Sequence, residues 1–184
     1  MSGESAFAVP YGVMSAAQMF AMKVRRYMDD HAVGPGALRA IAMASYHHAQ
    51  QNPKAIMYGR PLTEAAYDES RWIIEPFRLY DCCLENDGAA ACILVSADRA
   101  SDQPHPPCYL LAATSGAGYR AGAPAHNAPD YASAHFQQVA ARPFAMAGVH
   151  PADVGVVQAY ENFAGGVLMA LVEAGFCSPR PAPR

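Results

Sequence analysis

One stretch constrains this chain more than any other: residues 153–175, DVGVVQAYENFAGGVLMALVEAG. Residues 154–159 form a short, mostly apolar run, the length of one buried strand. Residues 167–174 are apolar all round and carry few breakers, which predicts a buried helix that stops at Gly175. Between the two lies a polar corner, Tyr160, Glu161 and Asn162, followed by Phe163 and the Gly165–Gly166 pair. Polar and titratable groups set between a buried strand and a buried helix cost folding energy unless they are satisfied or used. The carboxyl end of a strand in an open α/β sheet is also where ligands bind. Two readings stand side by side here. The corner is a strand-to-helix turn whose Glu and Asn cap the helix, or it is one wall of a binding site.

The rest of the chain limits what that corner can belong to. Its 184 residues suggest one domain or two small ones. With 52% hydrophobic and 16% charged residues it can build a sizeable core. A net charge of −3, with Lys and Arg scattered, leaves no electrostatic footprint for nucleic acid. The longest apolar run, residues 89–97, is less than half of a membrane span, and residues 1–25 lack the pattern of a signal peptide. The five cysteines, Cys82, Cys83, Cys92, Cys108 and Cys177, show no Cys-x-x-Cys spacing. An odd count without a secretory signal points to reduced thiols in the cytoplasm. No phosphate loop, catalytic triad order or metal cluster is present, and Gly116-x-Gly118 is not a dinucleotide fingerprint.

Taken in order, residues 1–14 read as an irregular entry. Ser15 is placed to cap a helix over residues 16–30, with Phe20, Val24, Tyr27 and His31 on one face, Met19 and Met28 beside them, and Lys23, Arg25 and Arg26 around the other side. Pro35 opens a second helix over 37–50, lined on one side by Leu38, Ile41, Ala42, Ser45 and Ala49. His47 and His48 fall in its last turn, where the helix dipole favours them. Thr63 begins a short helical turn. Residues 89–96 and 108–113 each have the length of a strand, with one helical turn over 97–101 and a Pro-rich linker over 103–107 between them. Residues 119–131, which include Pro124, His126 and Pro129, read as loop. A helix is predicted over 131–147, with Pro143 marking a kink or a break. The tail after Cys177 cannot form a packed element. Helices first, then strands alternating with helices, is the pattern of an α/β unit.

Several segments resemble one family. YDCCLENDGAAACILVSADRA (residues 80–100) is similar to the end of the N-terminal half of thiolases, and more closely to the sterol-carrier-protein-x and lipid-transfer-protein branch. MSAAQMFAMKVRRYM (14–28) and YGRPLT (58–63) resemble that branch's loop domain, which covers the active site. AMAGVHPADVGVVQAYENFA (145–164) resembles the start of the C-terminal half. The resemblance implies an α/β, thiolase-like fold, here incomplete. Residues 1–102 would supply the helical loop domain and the end of the N-terminal half, and residues 103–184 the start of the C-terminal half. The segments with the family's nucleophilic cysteine and its Gly-rich, His-containing motifs would lie outside residues 1–184, as in a truncated or split gene product. None of the five cysteines matches the nucleophile segment, and their apolar contexts suggest buried, inert thiols.

At the polar corner, true thiolases carry Asn-Glu-x-Phe. Here Tyr160 stands in place of that Asn, and a phenol can exchange a proton where an amide cannot. Tyr-Glu-Asn-Phe followed by Gly-Gly is similar to the steroid side-chain retro-aldolases of the same branch. The resemblance implies cleavage of a β-hydroxyacyl-CoA, with Tyr160 as base, Glu161 holding the hydrogen-bond network, and Asn162 orienting a substrate oxygen or capping the helix. It places Phe163, Gly165, Gly166, Met14 and Met19 at the substrate. It implies no metal and no cofactor beyond the coenzyme A thioester that is the substrate. A homodimer and a small OB-fold partner with a zinc ribbon are the implied partners. The alternatives are an acetyl-CoA acetyltransferase-type thiolase and an inactive fragment or assembly subunit.

Overall fold

The computed structural model describes residue 3, residues 5–119 and residues 128–179. His126, Pro124 and the last five residues of the tail therefore lie outside the described residues. A short helix, α1 (Ser5–Ala8), and a 3-10 turn (Val9–Tyr11) lead to α2 (Ala16–His31). As expected, Ser15 caps α2: its Oγ accepts from the Gln18 amide, while Gln18 Oε1 accepts from the Ser15 amide at 3.0 Å. Helix α3 (Gly36–Gln50) follows, then α4 (Glu64–Glu69), capped by Thr63, whose Oγ1 accepts from the Ala66 amide at 3.1 Å. Strands β1 (Trp72–Ile74) and β2 (Phe77–Arg78) form an antiparallel hairpin. Helices α5 (Ala141–Ala147) and α6 (Ala164–Glu173) follow.

The core lies where α2, α6 and the hairpin meet. Phe163 sits at its centre, its ring 5.1 Å from Phe20 and 5.2 Å from Phe77. Val24, Leu38, Ala164 and Met169 close the cluster. Gly165 is required here: a Cβ on it would overlap the isopropyl group of Val24, so α2 and α6 approach only because the side chain is absent. A second cluster, Ala42, Leu62 and Tyr67, joins α3 to α4, with Tyr46 and Tyr80 packed against it. Helix α6 stops at Gly175, whose φ of 82° is left-handed; its amide donates to Val172 and that of Phe176 to Leu171.

Three sequence expectations are corrected. Residues 89–96, 108–113 and 154–159 are irregular, not strands. A strand's amides and carbonyls need a neighbouring strand, and among the described residues none flanks these runs. Their side chains stand in solvent, Ile93 at 89% exposure and Leu110 at 73%. The one pairing near the corner is an isolated antiparallel bridge between Cys82 and Phe163, with the Cys83 amide donating to the Asn162 carbonyl at 2.9 Å.

The second correction concerns the helix over 131–147. Only a 3-10 turn (Phe136–Gln138) and α5 form. The Glu173 carboxylate on α6 accepts from the amides of Ala134 at 2.8 Å and Phe136 at 2.7 Å, and holds this segment in a loop. The break thus comes before Pro143, which sits in the first turn of α5, where a missing amide costs nothing. Third, Lys23 is not on the solvent face of α2. It is 8% exposed, and its Nζ donates to the Ser133 carbonyl at 3.1 Å. The exposed face of α2 instead carries two i,i+4 pairs, Arg25–Asp29 and Arg26–Asp30.

Candidate active site

The polar corner opens onto a cleft of about 930 Å³ between α3, the segment after β2 and residues 160–161. Tyr160 stands at its edge with 86% of its surface exposed. Glu161 is half-buried, and Ser45 on α3 donates its hydroxyl to Glu161 Oε2. That bond spans 116 residues of sequence and ties the loop-domain helix to the corner. Burial raises the Glu161 pKa above the ordinary carboxylate value; the Ser45 hydrogen bond opposes the rise and the Asp81 charge adds to it.

Behind Glu161 lies a buried aromatic and acidic layer. Asp81 is almost wholly buried, and the Tyr67 hydroxyl lies 2.8 Å from each of its carboxylate oxygens. The Arg78 amide donates to the same carboxylate at 2.8 Å. Burial pushes the Asp81 pKa up, against these hydrogen bonds, and burial followed by the Asp81 contacts pushes the Tyr67 phenol far up. Tyr80 packs between Tyr67 and Tyr46, with the Tyr46–Tyr80 pair edge to face at 5.6 Å. Tyr46 and Tyr80 both face the cleft.

Cys82 and Cys83 line the same cleft. Burial, reinforced by the Asp81 charge, pushes the Cys82 thiol up to about 11, so it is a protonated, weak nucleophile at neutral pH. The other four cysteines are exposed rather than buried; the runs that carry Cys92 and Cys108 have no covering strand among the described residues. Among the described residues no group of three or more His, Cys, Asp or Glu side chains could hold a metal ion. His47 turns its ring to Gln51, 2.8 Å away.

The predicted site residues divide. Tyr160 and Glu161 share the large cleft. Tyr160, Asn162 and Gly166 share a smaller pocket of about 280 Å³. Asn162 does not cap α6: its Oδ1 accepts from the neighbouring Phe163 amide at 2.9 Å. Phe163 and Gly165 belong to the core and line neither cavity. Met14 is exposed on the approach to α2, and neither it nor Met19 reaches these cavities. Sequence reasoning missed Ser45, Tyr46 and Tyr80 as cleft residues. Ser45 carried a signal, as the polar residue on the inward face of α3; the two tyrosines reach the cleft through tertiary packing alone.

Residues 119–183 match the family described as thiolase C-terminal domain-like. A steroid side-chain-cleaving aldolase of Thermomonospora curvata is 37% identical, over 96% of this chain and 46% of that protein. A 17-hydroxy-3-oxo-4-pregnene-20-carboxyl-CoA lyase of Mycobacterium tuberculosis is 36% identical, over 95% of this chain and 46% of that one. The solved structure of an Ltp2-ChsH2(DUF35) aldolase superposes with a TM-score of 0.84 at 34% identity, covering 94% of this chain and 46% of that chain. The chain thus spans about half the length of the relatives it matches. No helix among the described residues is long and apolar enough to cross a membrane. The chain carries part of a thiolase-like fold and is similar in sequence and structure to these steroid-cleaving aldolases.

Proposed function

We propose that this chain supplies one wall of an acyl-CoA site in a protein that cleaves a carbon–carbon bond by a retro-aldol reaction. The observation that carries the reading is Tyr160, standing where acyl-transferring thiolases have Asn, exposed at the cleft beside a carboxyl group fixed by Ser45. In the reaction a base removes the β-hydroxyl proton, the Cα–Cβ bond breaks, and its electron pair passes to the thioester as an enolate. Protonation at Cα then gives a ketone and a shorter acyl-CoA. Tyr160 is the proton-exchanging group, Glu161 orders the hydrogen bonds around it, and Asn162 presents a carboxamide to a substrate oxygen. The Cys82 thiol, held protonated, takes no nucleophilic part. The substrate is a β-hydroxyacyl-CoA of the steroid side-chain type, as the names of the Thermomonospora and Mycobacterium relatives support. A small OB-fold, zinc-ribbon partner follows from the same reading, supported by the two-component name of the similar structure. A homodimer in the cytoplasm completes it.

The test is a chimera in which this chain replaces the matching residues of the Thermomonospora aldolase. Cleavage of a steroid CoA thioester is measured with Tyr160 and with Tyr160→Phe. The expected loss is roughly 10²–10⁴-fold in kcat. A loss under about threefold would sink the base assignment.

A second reading is favoured by the three extended apolar runs: on its own the chain is an assembly element, inactive until those runs are paired. Sedimentation of the isolated chain separates the two, since an assembly element associates through those runs whereas a self-sufficient domain stays monomeric.

A further inference from the structure

Residues 133–137 form a loop that the molecule clamps from two sides. From α6, the Glu173 carboxylate accepts from the amides of Ala134, Phe136 and Gln137. From α2, the buried Lys23 ammonium donates to the Ser133 carbonyl at 3.1 Å and lies 5.7 Å from the centre of the Tyr131 ring. Two oppositely charged groups from two core helices thus converge on a loop of five residues. Such convergence is far more than an ordinary surface turn needs.

The clamp holds His135 in an unfavourable state. Its φ of 63° is left-handed, one of two such non-glycine residues described, and costs on the order of 1 kcal/mol or more. Its Nδ1 is fully buried with no hydrogen-bond partner among the described residues. The ring packs so closely on Gly118 that a Cβ there would overlap Nδ1. An unpaired buried polar atom and a strained backbone at the same residue persist only when the surroundings enforce them, and they concentrate at functional sites.

While Nδ1 is turned to Gly118, the residue also borders a pocket. It lines the smaller pocket together with Lys23, Tyr160 and Asn162, against apolar walls that include Phe136 and Met169. Hydroxyl, ammonium, carboxamide and imidazole are all hydrogen-bond donors. A small pocket with several donors on apolar walls fits an electron-rich oxygen carried by an apolar group. We propose that His135, held by the Lys23–Glu173 clamp, is a ligand-contacting residue of this pocket and donates to a carbonyl or enolate oxygen of the bound thioester. The nature of that oxygen rests on the acyl-CoA reading above; the role of His135 as a residue retained at a cost to stability does not.

Two measurements on the 184-residue chain test the inference. The first is thermal melting of the wild type, His135→Gly and His135→Asn. Both replacements tolerate positive φ and remove the buried ring nitrogen. Melting temperatures should rise by about 2–4 °C; a fall in both variants, or failure of both to fold, means that the ring serves packing and overturns the inference. The second is titration with 17-hydroxy-3-oxo-4-pregnene-20-carboxyl-CoA, with free coenzyme A as the control, followed by the His135 ring resonances in NMR. The ring should shift with the thioester and not with coenzyme A, and either variant should bind about tenfold or more weakly. Unchanged affinity in the variants overturns the inference. If the wild-type chain binds no thioester, the acyl-CoA reading fails, and the melting comparison alone then decides the role of His135.

Discussion

The helical region and the extended runs of this chain both carry apolar residues and end in opposite states. In the first, α2, α6 and the hairpin bury Phe77, Val24 and Phe163 almost completely. In the second, residues 89–96, 108–113 and 154–159 leave Ile93, Leu110 and Val156 in solvent. The difference lies in where each backbone finds its hydrogen bonds. A helix satisfies its amides within itself and then needs a neighbour only for its apolar stripe. A strand needs a second strand before it has either. Hydrophobicity alone therefore does not decide burial here; the supply of pairing partners does.

The contrast can be broken most forcefully at Phe77. Phe77→Ala removes a fully buried ring stacked on Phe163 and should cost about 3–5 kcal/mol, whereas Leu110→Ala should change stability by less than about 0.5 kcal/mol. Urea unfolding of both variants reads this directly, and similar costs at the two positions would show that the extended runs are buried in solution. A smaller effect is expected at Gly165. The new methyl in Gly165→Ala meets Val24 in the α2–α6 contact and should destabilise by about 1–3 kcal/mol. Gly155→Ala, in an extended run with nothing near its Cβ, should be close to neutral in the same assay.

The smallest effect sharpens the boundary between the two regions. Glu161 lies on it, tied to α3 on one side and continuous with residues 154–159 on the other. Burial holds its pKa above the unfolded value, with the Asp81 charge acting the same way and the Ser45 bond opposing. Its favourable contribution is therefore complete below the unfolded pKa and is lost as pH rises through the folded pKa. Glu161→Gln keeps an acceptor for Ser45 and removes the titration. The wild type should lose stability relative to this variant between acid and neutral pH, as read from urea midpoints at both. A difference between the two that stays constant as pH rises would place Glu161 in a fully solvated setting.

The same contrast explains what could be read from the residues beforehand. Local rules located α2, α3, α4 and α6, because Ser15, Thr63 and Gly175 act within a few positions of themselves. The resemblance to thiolases, carried by residues 80–100 and 145–164, pointed to a thiolase-like fold, and the comparisons agree with that fold. The departures are all non-local. Lys23 is buried because it meets Ser133, 110 residues away. The helix over 131–147 fails because Glu173, 39 residues after Ala134, binds its first amides. His135 gave no sequence signal, since its strain and its orphaned nitrogen arise from that clamp and from Gly118. Tyr160 and Glu161 stood out as polar groups between apolar runs, yet the cleft they share is completed by α3 and the segment after β2, which lie far away in sequence.

The aromatic stack around Phe163 has a mechanical consequence for the residues just before it. Residues 160–162 are anchored on their downstream side by a ring wedged between Phe20 and Phe77. On their upstream side they continue into backbone that no strand among the described residues holds. The corner is a cantilever, rigid at Phe163 and compliant towards Tyr160. The Ser45 tether at Glu161 sets its length, and the exposed Tyr160 phenol lies beyond that point. Any polypeptide that pairs with residues 154–159 would clamp the loose end, and would thereby set the reach of the Tyr160 hydroxyl without touching it.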